Sequence, residues 1–419
     1  MTGPTPGPVT GQPGPSYAAA VWSWEQHLRS GGRRPWRDWR TTADPGTPPD
    51  GWSAPGAAQL ELVRRAAASS HRLGSTDLLA ALADLVLSRS GPGRGRAEQP
   101  LAWSGGDVPG PRRFGAPAID PADVPTVELV RLAVGLLTEV LLDTGTVGST
   151  ERRREPRRRL LTREPAFVLV GAPVTTSVVR RDLAAAGHLE GGRAPCVVLL
   201  AEPFDESLAQ AWSARVQRGA PVRWRGFLQR WSGRDQLPPS ADLGAIARDW
   251  AGRVGPQRVH VVTAAGDPSA ATTTTAMLLG LGPRPARRRT VPPAPALDLA
   301  AEQVDAMRRV NAVLKVRTRG EEHEAAVGRL RALLAQTPGV DRVTLPEVFR
   351  HWAAARAQRL ADDLTSGGYA VHGRLEDLAP RFDQDRPTHP RTDRVLDVLL
   401  AACVDAISHR RPSEGGRPR

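Results

Sequence analysis

Phe167-Val168-Leu169-Val170-Gly171-Ala172-Pro173-Val174-Thr175-Thr176-Ser177 is the stretch that decides the fold of this chain. Its first four residues are apolar, and Val168 and Val170 are β-branched, which predicts a buried strand. Gly171 and Pro173 end it. Thr175 is placed to cap a helix over Val178–Ala186, with Gly187 as its stop. A strand, a turn of small hydroxyl residues and a helix N-terminus bring free N–H groups and the helix dipole to one point. That is the geometry of an anion site.

Outward from this stretch, strand and helix alternate. Pro195–Ala201 and Arg258–Thr263 read as further buried strands. Asp205–Gln217, Arg223–Trp231 and Thr272–Leu281 read as helices, as does a segment capped by Asp242 and ending at Arg253. The run Thr272–Thr275 reads as a cap. This order predicts an α/β fold with a three-layer parallel sheet. Beyond a Pro- and Arg-rich connection at 283–295 the pattern is helical: a stripe of Val304, Met307, Val310 and Leu314, then Glu322–Ala335 and Leu345–Leu364. Tyr369–Gly373 is a short extended piece. A last apolar helix starts at Thr392 or Asp393 and runs to Ile407.

On the N-terminal side, Ala18–Arg29, Ala57–Ser69, Thr76–Ser88 and Val127–Leu142 carry helical apolar periodicity and predict an all-α bundle. Trp22, Trp24, Trp36 and Trp39 lie among Arg residues. They read as the bulky core of a small helical unit rather than a stacking platform. The expected organisation is a disordered tail at 1–14, a helical domain at 15–145 and an Arg/Pro-rich linker at 146–165. An α/β core follows at 166–290, then its helical C-terminal part at 291–410 and a basic tail at 411–419.

The 419 residues carry a net charge of +13. Nearly all the positive charge is Arg, alongside abundant Ala, Pro and Gly, as GC-rich codon usage produces. Nucleic-acid binding through Arg152–Arg159 is therefore only a third alternative. No apolar run is long enough to span a membrane. The opening residues lack the basic and apolar regions of a signal peptide, so the expected location is cytoplasmic. Cys196 and Cys403 set no disulfide framework, and no metal-ligand spacing is present.

Gly171-Ala172-Pro173-Val174-Thr175-Thr176-Ser177-Val178 resembles the phosphate loop Gly-x-Pro-Lys-Thr-Gly-Thr-Thr of the bacterial sulfotransferase family. Trp250, Arg258-Val259 and His260-Val261-Val262-Thr263 resemble a later block. The likeness spans about 166–380 and implies a P-loop-like α/β fold that uses 3′-phosphoadenosine-5′-phosphosulfate. Three departures weigh against that chemistry. Val174 stands where the loop Lys would stabilise charge on the bridging oxygen. Glu202 stands where Arg would grip the 3′-phosphate, and Gln210 where Ser would.

The expected function is thus a divergent sulfotransferase-like binding or partner module without sulfotransfer, taking a protein partner or a small anionic ligand. The alternative is an active transferase with a rearranged site, the one case that would need 3′-phosphoadenosine-5′-phosphosulfate. Anion-site candidates are Gly171, Pro173, Thr175, Thr176, Ser177, Arg180 and Arg181. His188, in a Gly-rich turn on the surface, is the candidate base.

Overall fold

The computed structural model describes residues 16–42, 46–69, 76–88, 99–103, 117–143, 166–192, 195–263, 267–281, 298–339 and 342–409. The expected tails, the 146–165 linker and the connection 283–295 lie outside them. The chain divides into two compact units, Met1–Val140 with Leu399–Arg419, and Leu141–Val398.

The first unit is helical. It holds α1 (Tyr17–Arg29), α2 (Trp36–Trp39), α3 (Ala57–Ser69), α4 (Thr76–Leu87) and most of α5 (Thr126–Asp143). Ser16 opens α1 by accepting from the Ala19 N–H at 3.2 Å. The stripe Val21, Trp24 and Leu28 is buried, as the 3.6-residue period requires. Trp24 and Trp36 are enclosed with their rings 5.3 Å apart. Their indole N–H groups donate to the carbonyls of Arg34 and Ala102 at 3.0 and 2.9 Å, so burial leaves no polar atom stranded. Glu61 is also buried, held by Arg64 and Arg65 at 2.6 and 2.8 Å.

The second unit is α/β. Its sheet has four parallel strands in the order β1 (Phe167–Gly171), β2 (Cys196–Ala201), β3 (Val259–Thr263), β4 (Ala370–His372). The short extended piece at the end of the chain's helical stretch is thus a fourth strand, added beside β3. Phe167, Leu169, Val198, Leu200 and Val262 share one face. They pack under α6 (Pro173–Ala185) and α10 (Pro268–Leu278) through Val179, Leu183 and Ala271. Val197, Leu199, Val259 and Val261 alternate with them and are also fully buried, so these strands read as continuous apolar runs. α9 (Leu243–Val254) lies along β2 and β3 without joining the first cluster.

The remaining helices of this unit are α7 (Phe204–Gln217), α8 (Trp224–Ser232), α11 (Ala301–Arg317), α12 (Gly320–Leu334) and α13 (Arg350–Ser366); α14 (Thr392–Ser408) starts in this unit, and from Leu399 on it belongs to the first. α11 packs on α7 and α12. Its buried Asn311 donates to the Val216 carbonyl at 2.8 Å.

Three helix starts differ from expectation, and one of them is α13, which begins at Arg350 behind a 3-10 turn at Glu347–Phe349 rather than at Leu345. α6 begins at Pro173, with Ala172 as N-cap and no side-chain cap. Proline's fixed φ and missing N–H suit the first helical position, so Thr175 lies inside the first turn rather than before it. α10 likewise begins at Pro268, where the Asp267 carboxylate accepts from the Ser269 N–H at 2.8 Å. The Thr run is therefore interior. Thr272 and Thr273 bond back to the carbonyls of Pro268 and Ser269 instead of capping.

Candidate functional site

In open parallel sheets ligands gather beyond the carboxyl ends of the strands. Here β1 ends at Gly171 and β2 at Ala201, side by side. Gly171 has φ 136°, and a Cβ on it would stand 2.2 Å from the Leu200 carbonyl oxygen. Only glycine fits this close approach. The chain then turns through Ala172 into α6.

The amides at this helix start are largely committed. The Ala172 N–H faces the Leu200 carbonyl at 3.5 Å, and Pro173 has none. The Val174 N–H donates to Gln210 Oε1 at 3.0 Å. Gln210 sits on α7, and its side-chain NH₂ donates to Glu202 Oε2. Val174, Gln210 and Glu202 are thus joined into one hydrogen-bonded chain. Gln210 thus takes one of the free amides at the α6 N-terminus.

Glu202 is 5 % exposed. Burial, with the Glu206 carboxylate beside it, pushes its carboxyl up to about 7. Glu206 is itself buried and faces two guanidinium groups, Arg342 at 3.8 Å and Arg386 at 3.7 Å. Arg342 also pairs with Asp298 at 2.9 Å, and Arg386 with Asp383 at 3.0 Å. Val174, Glu206, Gln210, Trp212, Arg342 and Arg386 line a small, solvent-open cleft.

The predicted anion-site residues do not converge there. Thr175 and Thr176 are buried, and their hydroxyls meet no partner among the described residues. Ser177 is half-buried on the next turn. Arg180 turns back along β1, pairing with Glu190 and reaching the Leu169 carbonyl at 3.5 Å. Glu190 in turn accepts the Leu169 N–H at 2.6 Å, and the Gly191 N–H reaches the Phe167 carbonyl at 2.9 Å. Arg180 therefore covers the open edge of β1. Arg181 pairs with its neighbour Asp182 at 3.1 Å. His188 is buried rather than on the surface. It follows the last turn of α6, about 20 Å along the helix from the loop at 1.5 Å per residue, so it cannot serve as a base there.

Glu206, Arg342 and Arg386 were not signalled by the sequence. Nothing local marks them, because the arginines join the site across more than 130 residues of chain. Among the described residues no group of three or more His, Cys, Asp or Glu is placed to hold a metal. No described helix is long and apolar enough to cross a membrane. No family model, no curated protein and no solved structure matches this chain.

Proposed function

We propose that the second unit is a divergent sulfotransferase-like module of P-loop-like, three-layer build that works by binding a protein partner or small ligand, without sulfotransfer. One observation carries this reading: Gln210 takes the Val174 amide where a phosphate would dock, and holds Glu202 with its other end. No Lys or Arg stands at positions 174 or 202 to balance a nucleotide's charge. The buried carboxyl adds repulsion whenever it ionises. Calorimetric titration with 3′-phosphoadenosine-5′-phosphate tests the proposal. No heat of binding at millimolar nucleotide is expected. Tight binding of the nucleotide would overturn it.

A second reading, an active transferase with a rearranged site, is supported by Glu202 itself. A strand-end carboxyl that titrates near neutrality is suited to general acid–base work. In that case Glu202, not His188, is the base. Nucleotide binding that survives Glu202→Gln, with turnover lost, would establish this reading.

A further inference from the structure

His260 on β3 and His372 on β4 lie on the same face of the sheet, because His260 pairs in register with Ala370, two residues before His372. Their ring atoms Nδ1 of His260 and Nε2 of His372 approach to 3.2 Å. The rings are 5.4 Å apart and tilted by 32°, and both residues are partly exposed. The pair does not line the cleft beside Gln210 and has no role in the function proposed above.

We propose that His260 and His372 form a two-histidine chelate for a divalent transition-metal ion of the zinc or copper type. Imidazole nitrogens sit about 2.0–2.1 Å from such an ion. Two of them bound to one ion are then about 2.9 Å apart at a right angle and about 3.4 Å apart at the tetrahedral angle. The observed 3.2 Å lies between these limits. The metal takes the place of the single proton that two neutral imidazoles share, and the ring that carried it changes tautomer, so that each imidazole binds as a neutral ligand with its N–H on the far nitrogen. Imidazole is the ligand type that zinc, copper and nickel favour. No third His, Cys, Asp or Glu joins the pair among the described residues, so water completes the coordination.

The site has a structural consequence. β4 is only three residues long and pairs with β3 from more than 100 residues away. A metal that bridges the two strands closes that long loop and binds only the folded chain, so it raises the melting temperature.

Copper titration of the intact protein near neutral pH, read by electron paramagnetic resonance and by thermal melting, tests the proposal. One tight equivalent with two-nitrogen coupling is expected, and melting should rise with added metal. His260→Gln and His372→Gln should each weaken this equivalent by roughly a hundredfold, since each leaves a single ligand where two acted together. Both variants should keep the metal-free melting temperature, and neither should be stabilised by copper. A tight equivalent unchanged in both variants would place the ion on other histidines and overturn the proposal. So would the absence of tight binding in the parent chain, which would leave the pair a simple hydrogen bond.

Discussion

The backbone N–H of Val174 and the side-chain oxygen of Gln210 are 3.0 Å apart, and this bond closes the helix start that the sequence marks as an anion site. Its two partners come from different elements, α6 and α7. Gln210 serves both ends: its oxygen accepts the amide and its NH₂ donates to Glu202.

Gln210→Ala removes both bonds at once and strands a buried carboxyl. A loss of about 1–3 kcal/mol is expected in denaturant unfolding. An unchanged midpoint would show that solvent already serves these groups.

Glu202 titrates at about 7 in the folded chain against an ordinary 4.5. Because the folded pKa is the higher one, the folded state holds the proton more tightly. Stability from this group is present below the ordinary value and falls as pH rises from about 4.5 to 7. The total is on the order of 3 kcal/mol. Glu202→Gln keeps the neutral shape and removes this slope. Urea midpoints measured from pH 4.5 to 8 check it; parallel curves for variant and parent would refute the assignment.

Asp305 behaves in the opposite sense. Burial pushes its pKa up, but the hydrogen bond and charge of Arg308, with those of Arg309, outweigh burial and hold it below the ordinary carboxylate value. Its folded pKa is the lower one, so its contribution is present above the ordinary 3.8 and is lost as pH falls through the folded value. Arg308 lies 2.6 Å and Arg309 2.7 Å from its two oxygens. Asp305→Asn leaves Arg308 buried beside a neutral amide and is expected to cost about 3–5 kcal/mol at neutral pH. Its stability curve should be flatter on the acid side, which acid-titrated circular dichroism reads.

Gly171→Ala adds a methyl 2.2 Å from the Leu200 carbonyl at a φ of 136°. About 3 kcal/mol of destabilisation is expected. A variant that melts with the parent would mean that the β1–β2 register yields without cost.

Arg180 and Glu190 together occupy the outward N–H and C=O of Leu169 on the edge strand β1. Half-exposed ion pairs add little stability, so Arg180→Ala should barely shift the melting temperature. It should raise light scattering on prolonged incubation, because an uncovered edge pairs with other chains. Equal scattering in variant and parent would remove this role.

Much of the architecture was legible because it is written in short-range pattern. Cys196–Ala201 is an apolar run and Val259–Thr263 holds three buried Val, and they form the central strands. Asp242 caps α9 as its position predicts, accepting the Ala245 N–H at 2.9 Å. Helix starts misled where two local signals competed. At Thr175 and at Thr272 a hydroxyl residue looked like a cap, yet a proline two or more residues earlier had already fixed the first helical φ. β4 read only as an extended piece, since three residues with one apolar side chain become a strand only when β3 offers its edge.

The sequence by itself determined the strand–turn–helix at Phe167–Ala185, the parallel α/β class of the unit it opens and the helical character of the first unit, because hydrophobic period and backbone propensity act within a few residues. It also displayed the substitutions Val174, Glu202 and Gln210 one by one. Only the tertiary structure decided that the three are one hydrogen-bonded chain, that Arg180 guards a strand edge, and that Arg342 and Arg386 face Glu206. Hydrogen bonds and charge pairs reach only a few ångströms. Which side chains come within that reach is set by how distant segments pack, and no local pattern encodes it.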